Sequence, residues 1–71
     1  MKALAGQIIK SILENNNYES NDNVVKLYIE AFTDLDHHYD VEEVAHDNGL
    51  DMFICDKINH SFNMRDIKVF N

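Results

Sequence analysis

Asp40-Val41-Glu42-Glu43-Val44-Ala45-His46-Asp47-Asn48-Gly49-Leu50-Asp51 is the stretch on which the fold turns. Asp40 is an N-cap residue, and Glu43 three positions on completes the pattern of a capping box. Val41, Val44 and Ala45 give the helix that follows an apolar face. Gly49 suits the left-handed position that closes a helix. Asp51 is then a second N-cap, ahead of Ile54, Cys55, Ile58 and Phe62 at helical spacing. The segment reads as an α-hairpin over 40–62.

Upstream, residues 36–39 form a loop, and residues 23–35 carry Val24, Tyr28, Ala31, Phe32 and Leu35 at helical spacing. Asp22 is the expected N-cap of that helix. A strand is the rival reading, because Val24-Val25-Lys26-Leu27-Tyr28-Ile29 is rich in β-formers. Length and the continuation to Phe32 and Leu35 favour helix. Residues 3–15 form an amphipathic helix with Leu4, Ile8 and Ile12 in one row and Ala5, Ile9 and Leu13 in the next. Asn15-Asn16-Asn17 ends it, since asparagine tolerates a left-handed cap. At the other end, Arg65 to Asn71 alternates Ile67 and Val69 with Asp66 and Lys68, the pattern of a short strand or extended tail. The expected fold class is mostly α: a compact four-helix domain over 1–71, with a helix-turn-helix-like hairpin and a short C-terminal extended segment.

A chain of 71 residues buries only about 60% of the surface its unfolded form exposes. Its single cysteine closes no intramolecular bridge. Self-association into a homodimer could supply the missing burial. The apolar residues after Met1 are interrupted at Gln7 and Lys10, unlike a secretory segment. Nor does any stretch approach the ~20 apolar residues of a membrane span. The expected setting is the cytoplasm of a bacterial host cell, with no membrane partner.

Charge is the most informative feature. Thirteen acids oppose six bases, for a net charge of −7. Between Lys26 and Lys57 there is no lysine or arginine, while Glu30, Asp34, Asp36, Asp40, Glu42, Glu43, Asp47, Asp51 and Asp56 all fall there. Nucleic acid and anionic membrane are poor direct partners for such a chain, and basic surfaces are good ones. Ordinary surfaces mix the two signs. Asp40, Glu43, Asp47 and Asp51 recur at steps of three and four residues, which spaces carboxylates about 5–11 Å apart on a helix. Phosphates along one DNA strand lie roughly 7 Å apart. A phosphate-mimicking face is one reading, and a solvated face that keeps a small protein soluble is the other. On the first, the partner-binding residues are Asp34, Asp36, Tyr39, Asp40, Glu43, Asp47, Asp51, Phe53 and Asp56. Tyr28, Tyr39, Met52, Phe53, Phe62 and Met64 are candidate anchors for a protein partner, or else they finish the core or a dimer seam.

Other chemistry is poorly provided for. His37, His38, His46 and His60 lie near Asp36, Asp40 and Asp47, but no HExxH pattern or second cysteine organises them into a metal site. No metal or cofactor is expected. Cys55 belongs to an apolar helical face in an acidic region, which suits a small core residue better than a nucleophile. A binding protein rather than an enzyme is the expectation.

Residues 41–58 resemble a helix-turn-helix through Val44-Ala45, Gly49-Leu50, Cys55 and Ile58, and depart from it at Asn48, where an apolar residue is usual. The resemblance implies a dimeric DNA-binding regulator. Its second helix, however, would offer Asp51 and Asp56 to a phosphate backbone. In size, charge and want of catalytic machinery the chain is similar to the small acidic inhibitors encoded by phages, of the anti-CRISPR and anti-restriction kind. Asp34, Asp40, Glu43, Asp47 and Asp51 carry that likeness, which is one of class and not of motif. It implies a partner that is a basic nucleic-acid-binding protein, such as a nuclease. An antitoxin-like or structural interaction module is a further alternative.

Overall fold

The computed structural model describes residues 2–34 and 40–67, which form four helices. They are α1 (Lys2–Asn15), α2 (Asp22–Asp34), α3 (Val41–Asp47) and α4 (Met52–Arg65). No strand occurs among the described residues, so the β-rich run Val24–Ile29 is helical.

Three of the starts are capped by side chains. Asp51 Oδ1 accepts the Ile54 N–H at 3.1 Å and opens α4 as expected. Asp40 Oδ1 accepts the Glu42 N–H at 2.8 Å, one residue short of the capping-box partner Glu43. At α2 the cap is Asn21 rather than Asp22. Asn21 Oδ1 accepts the Val24 N–H at 3.0 Å, three residues on, while Asp22 is already the first helical residue. There its charge still faces the positive end of the helix dipole.

Three helices end on one shared device. Asn17, Gly49 and Asp66 adopt left-handed backbone, with φ of 62°, 64° and 54°. Each donates its N–H to the carbonyl three residues back, and the next residue reaches five residues back. Those longer bonds are Tyr18 to Leu13 at 2.9 Å, Leu50 to Ala45 at 2.8 Å and Ile67 to Phe62 at 2.9 Å. Orphan carbonyls at the helix ends are thereby satisfied. All three acceptors belong to buried residues, but the side chains that follow differ: Ile67 is buried, Leu50 packs partly buried against the core, and Tyr18 stays exposed. Arg65 lies inside α4, so any extended tail begins later than its sequence alternation suggests, and residues 68–71 lie outside the described set.

The core runs through all four helices. Ala5, Ile9 and Leu13 from α1 meet Val25, Tyr28 and Phe32 from α2, Ala45 from α3, and Ile54, Cys55, Ile58 and Phe62 from α4. Within α1 the Ala5 row is central, and Ile8 and Ile12 pack at its flank. The Phe32 and Phe62 rings meet edge to face, with centroids 5.5 Å apart and planes at 70°, a geometry that aligns ring edge with ring face. Helix α4 packs on both α1 and α3, and α2 packs on α1 and α3. The α3–turn–α4 hairpin is therefore held from behind by the first two helices.

Candidate partner-binding face

Helix α3 has seven residues and buries Val44 and Ala45. Most of its circumference is consequently open to solvent. Asp40, Glu42, Glu43, His46 and Asp47 are all exposed. With Ala45, Leu50 and Met52 they line a shallow groove of about 610 Å³. Four carboxylates thus surround an apolar floor that has no lysine or arginine in its lining. Glu42 and His46 were not singled out by sequence spacing. The shortness of α3 is the signal that would have found them, because two buried residues leave the rest of a short helix outside.

The remaining expected residues go elsewhere. Asp51 is only half-exposed and its side chain is occupied at both oxygens. Oδ1 caps α4, and Oδ2 accepts the Tyr18 hydroxyl at 3.0 Å. Its backbone N–H reaches the Tyr28 hydroxyl at 3.4 Å. Asp51 therefore joins the end of α1, the middle of α2 and the start of α4. The Tyr18 hydroxyl holds its proton more tightly than an ordinary tyrosine, chiefly because it donates to Asp51. Burial does the same to Tyr28, opposed by the Asp51 N–H that donates to its oxygen. No spacing rule announced this junction, since Tyr18 and Asp51 are 33 residues apart.

Phe53 and Asp56 lie on another side of the molecule. With Lys57, His60, Ser61 and the Ile12–Asn16 end of α1 they line a second groove. Lys57 Nζ sits 4.8 Å from the centre of the Phe53 ring, within cation–π range. This side is mixed in sign, unlike the α3 groove. Asp34 is the last residue of α2, and its side chain lies outside what is described, as do Asp36 and Tyr39 altogether. The structure thus brings together Asp40, Glu43 and Asp47, sets Asp51 to structural work, and places Phe53 and Asp56 apart.

The proposed anchors also divide. Tyr28 and Phe62 are core residues, whereas Met52, Phe53 and Met64 are exposed by 38%, 53% and 75%. Cys55 is fully buried, and burial pushes its thiol up to about 11, with Asp51 and Asp56 acting in the same direction. Such a thiol stays protonated and unreactive at neutral pH. Among the described residues no three histidine, cysteine or carboxylate side chains converge as metal ligands, and no helix is long and apolar enough to cross a membrane. Comparison of the chain with protein-family models, with curated proteins and with solved structures returned no match.

Proposed function

We propose that this chain is a small acidic inhibitor or modulator that seats its α3 groove on the basic nucleic-acid-binding surface of a larger protein, such as a CRISPR or restriction nuclease. One observation carries the reading: Asp40, Glu42, Glu43 and Asp47 rim an apolar floor of Leu50 and Met52 with no lysine or arginine in the lining. Asp40 to Asp47 spans seven residues, or about 10 Å along a helix. That is a little more than one ~7 Å phosphate step. The face imitates neighbouring phosphates of one strand, and Asp51 does not lengthen it because its carboxylate is spent on a cap. Carboxylates supply steering and salt sensitivity, and Met52 and Leu50 supply the contact that charge alone does not. The same rim repels DNA itself. The buried, protonated Cys55 thiol also speaks for a binder over an enzyme.

The test is capture from nuclease-treated bacterial lysate on the tagged protein, beside the variant Glu42→Lys/Glu43→Lys/Asp47→Lys. Asp40 is kept because it caps α3. The expected result is a nucleic-acid enzyme that elutes at moderate salt, is displaced by duplex DNA and is absent from the variant. Equal retention by the folded variant would overturn the reading.

A second reading rests on the α3–turn–α4 hairpin, whose second helix exposes Lys57 and His60. A helix-turn-helix regulator would retard duplex DNA at low salt, and the acidic module would not. An antitoxin-like or structural module would instead form a complex indifferent to ionic strength.

A further inference from the structure

The geometry points to arginine, over lysine or a metal ion, as the group a partner seats in the α3 groove, its guanidinium bridging Glu43 and Asp47 and its stem lying on Leu50 and Met52. This rests on the reading of that groove as the partner-binding face and names the chemistry of what enters it. Glu43 and Asp47 are four residues apart on one helix, which sets their Cβ atoms about 5–6 Å apart. Glu42 belongs with His46 to the neighbouring row, and Asp40 has one oxygen occupied by the Glu42 N–H. The Glu43–Asp47 row is therefore the pair of carboxylates that a single side chain can bridge. Like charges in such a row destabilise the helix that carries them, and no lysine or arginine in the lining relieves them. A cation from outside does.

The groove selects among cations. Among the described residues no three histidine, cysteine or carboxylate side chains converge as metal ligands, so a monatomic ion finds too few oxygens around one point. An extended, planar cation needs no such convergence. The floor decides between the two that proteins carry. Leu50 is half-buried and Met52 is 38% exposed, so whatever reaches the carboxylates lies against apolar surface. A lysine ammonium is compact and strongly hydrated, and it gives up water there without recompense. A guanidinium is weakly hydrated, lies flat, and offers five N–H donors in a fork that meets two carboxylates at once. The polarisable thioether of Met52 adapts to the plane above it. Arginine uses the same fork to grip guanine and phosphate, so the groove competes with nucleic acid for one and the same side chain.

Titration of the full chain with acetyl-hexa-arginine amide and with acetyl-hexa-lysine amide, at about 0.15 M salt, tests this with two probes of equal charge. The arginine peptide should bind at least about fivefold more tightly and shift the Met52 methyl resonance, which the lysine peptide should leave nearly in place. Met52→Ser should bring the two affinities together. Glu43→Gln/Asp47→Asn should weaken both and erase the preference. Met64→Ser, at an exposed residue outside the groove, should keep it, and helical circular dichroism should be unchanged in all three. Equal affinities in the parent, a Met52 methyl that does not respond, or a preference that survives either groove variant would each overturn the proposal. The parent's affinities and methyl shift decide the matter even where a variant unfolds. The two readings fail separately. Equal peptide affinities leave the inhibitor reading standing, because lysine-rich channels are also held by carboxylates. Capture of no nucleic-acid enzyme from lysate, beside an intact arginine preference, removes the inhibitor reading and leaves the chemistry of the groove.

Discussion

Gly49→Ala isolates the energy of a single backbone angle. Gly49 has φ of 64°, and a Cβ placed there would meet nothing within 4 Å. No steric clash enters, and the cost is conformational alone. An L residue in left-handed backbone loses about 1–2 kcal/mol. Removing glycine's extra freedom in the unfolded chain returns about 0.4–1 kcal/mol. The net loss is about 1 kcal/mol, which for a domain of this size lowers the melting temperature by about 4–8 °C. Urea unfolding followed by helical circular dichroism should show the midpoint falling by about 1 M, at a slope of about 1 kcal/mol per M. Gly49→Asn supplies the control, because Asn17 fills the equivalent position after α1. Its cost should be roughly 0.3 kcal/mol, since asparagine visits this region readily. An alanine variant as stable as the parent, or an asparagine variant as unstable as alanine, would refute the backbone argument.

Loss of the α4 cap in Asp51→Ala should cost about 1 kcal/mol, while Asp51→Asn keeps most of it; the two urea midpoints check this. In the Asp51→Ala background, Tyr18→Phe should have no further effect on stability, because its hydrogen-bond partner is gone. Cys55 should react with a thiol reagent only as fast as the chain opens. Its folded pKa, about 11, lies above the ordinary value of 9.0, so the unfolded chain gives up its proton first. Stability should then fall as pH rises from about 9 to about 11, and Cys55→Ala should flatten that slope in urea titrations at stepped pH. Ile58→Ala, at a fully buried position, should cost about 3 kcal/mol. Leu27→Ala, at a side chain 53% exposed, should cost less than about 0.5 kcal/mol by the same measurement.

Much of the fold was legible because its signals are local. Asp40, Gly49 and Asp51 act within a few residues of themselves, and the Ile54, Cys55, Ile58 and Phe62 row records one helix face. Asn21 took the cap expected of Asp22 because capping depends on which side-chain oxygen reaches the third helical N–H, and two adjacent cap formers leave that open. Arg65 and Ile67 looked extended because alternation over a few residues cannot be told from a helix end followed by one buried residue. The site was harder to read. Charge along the chain singled out Asp40, Glu43 and Asp47, which the structure sets together on one short helix and its cap. It could not show that Asp51 is tied up by Tyr18 and the α4 cap, or that Phe53 and Asp56 face away with Lys57. Those facts depend on how α1 and α2 pack behind the hairpin. Tyr28 and Phe62 were read as surplus aromatics for the same reason.

The left-handed helix stops have a kinetic consequence. Chains often break helices with proline, and each X–Pro bond adds a conformational exchange lasting tens of seconds to refolding. This sequence has no proline and turns at Asn17, Gly49 and Asp66 instead. With one cysteine there is no intramolecular disulfide to reshuffle either. Refolding of a single chain from denaturant should therefore be one fast phase, on the microsecond-to-millisecond scale of small helical proteins, with no prolyl isomerase able to accelerate it.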